Sequence, residues 1–171
     1  MGSNWSTGTV PATGDVAVIA NGGVATLTLS GSTSGASLTL GQDGAGSLVV
    51  AGSGTHSVSG PALIGWTTAS SAVPGVGSLS VGSGATLRID GGSGSTIVGS
   101  GAGPLAGSGA ISVASGGELI FNGGSGKNFV VGDTLNGNIS NASLDISGRV
   151  TVVGGEFMVA RGQGGGGIAS G

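Results

Sequence analysis

The chain contains no cysteine. That excludes disulfides, thiolate metal sites and a cysteine nucleophile. Charge is scarce as well: 6% of residues are Asp, Glu, Lys or Arg, where about 25% is usual. The four basic residues, Arg88, Lys127, Arg149 and Arg161, are scattered. They form no basic run that could neutralise phosphates, so neither nucleic acid nor an anionic membrane surface is an expected partner. No apolar stretch approaches the ~18 residues of a transmembrane helix, and no membrane insertion of this segment is expected. The opening MGSNWSTGTV has neither the basic n-region nor the apolar h-region of a signal peptide. Met1-Gly2-Ser3 reads like a vector-derived start, and residues 1–13 as a lead-in.

What is present in excess is glycine, 42 of 171 residues. Low charge with this much glycine would describe a disordered chain if hydrophobicity were also low. It is not low: 37% of residues are hydrophobic, mostly Val, Leu, Ile and Ala, and they fall in short patterned runs. The composition therefore predicts an ordered, glycine-punctuated β protein.

The runs repeat. GSLSVGSGATLRIDGGSGS, from residue 77, is answered by GAISVASGGELIFNGGSGK, from residue 109. Three marks recur in fixed order. The first is an apolar pair closed by glycine: Thr39-Leu40-Gly41, Leu63-Ile64-Gly65, Ile97-Val98-Gly99 and Val130-Val131-Gly132. The second is an alternating triplet, Leu48-Val49-Val50, Leu79-Ser80-Val81, Ile111-Ser112-Val113 and Leu144-Asp145-Ile146. The third is Leu87-Arg88-Ile89, Leu119-Ile120-Phe121 and Phe157-Met158-Val159, with Gly154-Gly155-Glu156 echoing Gly116-Gly117-Glu118.

Each mark alternates apolar with small or polar residues, the pattern of a half-buried strand. No stretch sustains helical periodicity, so no significant helix is expected. A period near 32 residues carrying three short strands fits a solenoid with one coil per repeat. The fold predicted is all-β: a right-handed parallel β-helix, or three-faced β-solenoid, of about five coils with Gly-rich turns. One domain spans residues 14–162. Residues 163–171 form a Gly-rich end or begin a further coil, and the chain reads as a fragment of a longer one. The predicted core stack is Leu48, Leu79, Ile111 and Leu144, with Val50, Val81, Val113 and Ile146. The predicted turn glycines are Gly41, Gly65, Gly99, Gly132, Gly84, Gly117 and Gly155. Val16, Val18, Ile19, Leu27 and Leu29 belong to a first coil over residues 10–30. Residues 66–76 are expected to leave the rod as a loop, with Trp66, Thr67 and Thr68 as a contact surface. Residues 132–142 are a second, smaller excursion.

Chemistry is thin. The acids Asp15, Asp43, Asp90, Glu118, Asp133, Asp145 and Glu156 are spread one or two per coil. A glycosidase needs two carboxyls within ~5 to 10 Å. Glu118 and Glu156 are placed on one corner as solvated turn residues. Arg88-Ile89-Asp90 resembles a polygalacturonase segment, without that family's other motifs. His56 is the only histidine; it has no companion ligand and reads as a solvated turn residue. Gly91-Gly92-Ser93-Gly94 and Gly123-Gly124-Ser125-Gly126 resemble the start of a calcium nonapeptide, but Thr96 and Asn128 stand where its aspartate belongs. Gly126-Lys127-Asn128 is no P-loop, since Asn128 replaces the Ser or Thr. The triplet Thr26-Leu27-Thr28 occurs once, too little for an ice-binding array. No catalytic residue, cofactor or metal is expected.

The phrase Leu40-Gly41-Gln42-Asp43-Gly44-Ala45-Gly46-Ser47-Leu48-Val49-Val50 returns, with an insertion, as Ile64-Gly65 and Gly75-Val76-Gly77-Ser78-Leu79-Ser80-Val81. With the opening Trp5, Gly14-Asp15-Val16-Ala17-Val18-Ile19 and Asn21-Gly22-Gly23, it resembles the passenger repeats of bacterial autotransporters. The resemblance covers roughly residues 14–162. It implies a secreted β-helical stalk at the bacterial cell surface, serving adhesion, aggregation or biofilm, with a host-surface or matrix ligand. The membrane barrel of that family is not in this sequence. Two other expectations stand beside it. One is a fibre subunit that self-associates end to end, because open solenoid ends expose strand edges. The other is a carbohydrate-active β-helix enzyme.

Overall fold

A computed structural model describes residues 12–92, 94–102, 104–135 and 140–163. The described residues hold sixteen strands and no helix. The first coil is β1 (Val16–Ile19), β2 (Val24–Leu29) and β3 (Ser32–Gly35). The second is β4 (Ser37–Gln42), β5 (Ala45–Gly52) and β6 (Gly54–Val58), and the third β7 (Ala62–Thr67), β8 (Val76–Val81) and β9 (Ala85–Ile89). The fourth is β10 (Thr96–Gly101), β11 (Ser108–Val113) and β12 (Glu118–Asn122). The fifth is β13 (Phe129–Leu135), β14 (Asn141–Ile146) and β15 (Arg149–Val153), followed by β16 (Phe157–Gln163). Every third strand pairs in parallel. The first sheet runs β1-β4-β7-β10-β13-β16, the second β2-β5-β8-β11-β14 and the third β3-β6-β9-β12-β15. The fold is the three-sheeted β-solenoid that the marks predict.

Register turns the repeats into columns. Leu48 pairs with Leu79, Leu79 with Ile111 and Ile111 with Leu144. Val50, Val81, Val113 and Ile146 line up the same way. Leu87 stacks on Leu119 and Ile89 on Phe121 in the third sheet. Most of these side chains are buried and form one core. The coils stack because no coil can bury its inner face alone. Ile146 departs from the expected core stack: it lies on the outer strand of its sheet and is 46% exposed, since no further strand covers it among the described residues.

The repeat is less regular than its sequence period. In the second sheet Val24 pairs with Ser47, a step of 23 residues, whereas Val76 pairs with Ser108, a step of 32. The short coil is the basic unit, and longer coils carry inserted connections. The third mark needs a correction in its last copy. Phe157-Met158-Val159 belongs to the first sheet, in register with Phe129-Val130-Val131. The true successor of Leu119 and Phe121 in the third sheet is Val150 and Val152 on β15. Alternation alone cannot say which face a strand joins, because all three faces share it. The glycine echo fails with it. Glu118 sits opposite Arg149, not Glu156.

Gly41, Gly65, Gly99 and Gly132 lie inside β4, β7, β10 and β13 rather than between strands, all with positive φ of 65–77°. They bend the strand where the first sheet meets the second. At Gly65 a Cβ would run into the Ser108 carbonyl of β11. Bare Cα atoms at this corner let two sheets close on each other, which is why the L-G-x-x-G-x-G phrase repeats. Gly84 and Gly155 are turn glycines with φ of 78° and 83°. Gly117 is not in the left-handed region; its neighbour Gly116 is, at 77°.

Candidate functional site

The connections from the first sheet to the second differ in length, and they all leave one corner. The second coil closes that corner with two residues, Asp43 and Gly44, between β4 and β5. The third spends residues 68–75 there and the fourth residues 102–107. In the fifth coil residues 132–135 continue β13, so the excursion expected over 132–142 is shorter. Part of it, 136–139, lies outside the described residues. The 102–107 connection escaped sequence reading, although Pro104 between glycine-rich stretches marks it.

Backbone hydrogen bonds splice these connections onto one another. The Ala102 amide donates to the Thr67 carbonyl at 2.8 Å and the Ser108 amide to the Gly75 carbonyl at 2.8 Å. The corner is therefore a stacked set of protrusions. Of the expected contact residues, Trp66 and Thr67 lie in β7 rather than in a loop. Trp66 is half-buried, opposite Gln42 and Ser100. Thr67 is buried, and its hydroxyl accepts the Gly75 amide at 2.8 Å, closing the neck of the loop. Thr68 is held from below: its amide and hydroxyl both donate to the Asp43 carboxylate at 2.7 Å. Burial raises the Asp43 pKa, but hydrogen bonds from the Thr68 amide, the Thr68 hydroxyl and Ser71 outweigh it and hold the carboxyl below its ordinary 3.8. Val73 is exposed on the loop, and Val76, the first residue of β8, is exposed beside it.

Four other acids are engaged separately rather than gathered. Asp90 accepts from Arg88 and from Asn122. Glu118 pairs with Arg149 at 2.8 Å. Asp133 is wholly buried and takes a two-pronged contact from Arg161, at 2.9 and 2.6 Å. Asp15 accepts the Ala12 amide at 2.9 Å. No cluster of three or more metal-ligating side chains occurs among the described residues. His56 is not the solvated turn residue expected. It lies in β6, opposite Thr33 on one side and Leu87 on the other, half-buried, with Nδ1 2.8 Å from the Thr33 hydroxyl. The T-H-S segment lacks the apolar signature of a strand, which is why its place in the stack was hidden.

Comparison with protein-family models, with curated proteins and with solved structures gives no match. The site is read from its own geometry.

Proposed function

We propose that this chain is a structural segment of a secreted β-solenoid protein of the autotransporter-passenger kind, working at the bacterial cell surface. It is a passive spacer whose protrusions meet a host-surface or matrix ligand. The observation that carries this reading is the stacking of the 68–75 connection, the longest between the described strands, on the 102–107 connection at one corner of the rod. Loops on a rigid scaffold are where binding residues concentrate, and here the scaffold is three parallel sheets with continuous core columns. The exposed Val73 and Val76 give that corner an apolar contact beside half-buried Trp66. Enzymatic hydrolysis of a polysaccharide is the less supported role, because Asp43, Asp90, Glu118 and Asp133 are each committed to a structural partner.

The test replaces residues 68–75 by the two-residue connection of the second coil, Asp-Gly. The trimmed and parent chains are compared for binding to bacterial cells and to immobilised matrix glycoproteins. Circular dichroism is the check on folding. A folded, trimmed chain that loses binding is the expected result. A parent chain that binds neither cells nor matrix, or one that releases reducing sugar from a polysaccharide, overturns the reading. A second reading, a fibre subunit built end to end, is favoured by the open core at β14–β16, where Ile146, Phe157 and Val159 are 46–53% exposed.

A further inference from the structure

We propose that His56 makes the contact between the first and second coils acid-labile: protonation of its imidazole opens β1–β3 as a unit while the rest of the rod stays folded. The column that holds His56 runs Thr33, His56, Leu87, Leu119 and Val150. Leu87 and Leu119 are fully buried core residues. His56 thus stands where the following coils place leucine, with its ring turned to the interior. Its Nδ1 is bonded to the Thr33 hydroxyl. Its Nε2 lies 3.6 Å from where a Cβ on Gly35 would stand and has no hydrogen-bond partner among the described residues.

A neutral ring suits this place. One nitrogen trades a hydrogen bond with Thr33, and the ring packs on Leu87. An imidazolium suits it less, because the charge sits partly desolvated. No anion among the described residues compensates. β2 and β3 carry no titratable side chain, and β9 carries only Arg88. Arg88 is in register with Ser57, on the opposite pleat from His56, and is bonded to Asp90. Asp90 accepts from Arg88 and Asn122, and the Asp15 carboxylate is turned to the Ala12 amide. Burial accordingly lowers the His56 pKa from its ordinary 6.5. Above that value the ring is neutral whether the coil is closed or open. As pH falls below it, the opened coil takes up a proton that the closed coil resists, so closure weakens until the closed form protonates too. Within that window the opening equilibrium rises as the pH falls, by at most about tenfold per unit.

The opening is local because solenoid stability is a sum over neighbouring coils. Among the described residues the first coil has one neighbour, and β3 meets β6 over only four residue pairs. Units held this way open well below the global unfolding energy.

Hydrogen exchange on the intact chain, corrected for the intrinsic pH dependence of exchange, tests this between pH 7.5 and 5. The expected result is an acid-induced loss of protection at the amides that bind the first coil to the second, such as Thr55 and Ser59. Amides of β11 and β12 should be unaffected. His56→Leu, which matches its column neighbours, and His56→Gln, which keeps a hydrogen-bonding group, should both abolish the acid response. A proton titration of the His56 ring by NMR should give a value below 6.5. Three results overturn the proposal: protection lost evenly along the rod, an acid response that survives in both variants, or a ring that titrates at or above 6.5 in the folded chain.

Discussion

At the scale of single residues, the corner glycines are the most constrained positions. Gly65 has φ of 69°, and a Cβ there would strike the Ser108 carbonyl. Gly124 has nearly the same φ, 65°, but a Cβ on it would meet nothing within 4 Å. The pair separates conformational strain from steric exclusion. Gly124→Ala should cost about 1–2 kcal/mol, the penalty for a left-handed L-residue. Gly65→Ala adds an overlap with backbone that cannot rotate away. Its total should reach about 3 kcal/mol or more. Urea unfolding of the two variants measures both. Equal losses would mean that the corner can splay to admit a methyl group. The apolar pairs closed by glycine were visible in the sequence as a recurring mark. Their place inside a bent strand was not, because glycine announces freedom of φ without saying whether a turn or a bend uses it.

At the scale of strands, legibility followed apolar alternation. β5, β8 and β11 could be read residue by residue, since Leu48, Leu79 and Ile111 repeat their phrase. β3 and β6, written S-T-S-G and G-T-H-S-V, could not. Of their inward positions only Val58 is a large apolar residue; Thr33, Gly35, Gly54 and His56 are polar or small. β16 was legible as a strand but assigned to the wrong sheet. What fixes it in the first sheet is partly an ion pair that sequence spacing does not reveal. Arg161 grips the buried Asp133 carboxylate of β13, while the chemically similar pair of Arg149 and Glu118 is solvated, with the arginine side chain 72% exposed. The two should differ sharply when cut. Arg161→Met leaves an uncompensated buried carboxylate, a loss of about 3–5 kcal/mol, seen first as faster hydrogen exchange along β16. Arg149→Met should cost at most about 1 kcal/mol. Comparable losses for both would show that Asp133 reaches water when Arg161 is gone.

At the scale of the whole rod, the fibre reading rests on the two ends of the core. Six core columns can be followed from the first coil to the last. The one that begins at Ala17 ends at Phe157, and the one that begins at Ala25 ends at Leu144. The column of Gly35 ends at Val152 and that of Thr33 at Val150. In four columns a small side chain at the β1–β3 end would thus receive a larger one from the β14–β16 end of a second copy. The remaining two would set Val159 against Ile19 and Ile146 against Leu27. No charged side chain interrupts either set. The strand edges at both ends are also unpaired among the described residues, and such edges template addition. A head-to-tail contact of this kind does not close on itself and so produces filaments. Sedimentation velocity across a dilution series, with negative-stain microscopy, should show the parent chain lengthening with concentration. Ile146→Lys blocks one end and Ala25→Lys the other. Each variant alone should stay monomeric with an unchanged β circular dichroism spectrum. An equimolar mixture should stop at dimers, because only one productive contact remains. A parent chain that is monomeric at every concentration removes the fibre reading. Blocked variants that still assemble would place the contact on the flanks of the rod, where Ser78 bonds to Ser47 and Ser112 to Ser80.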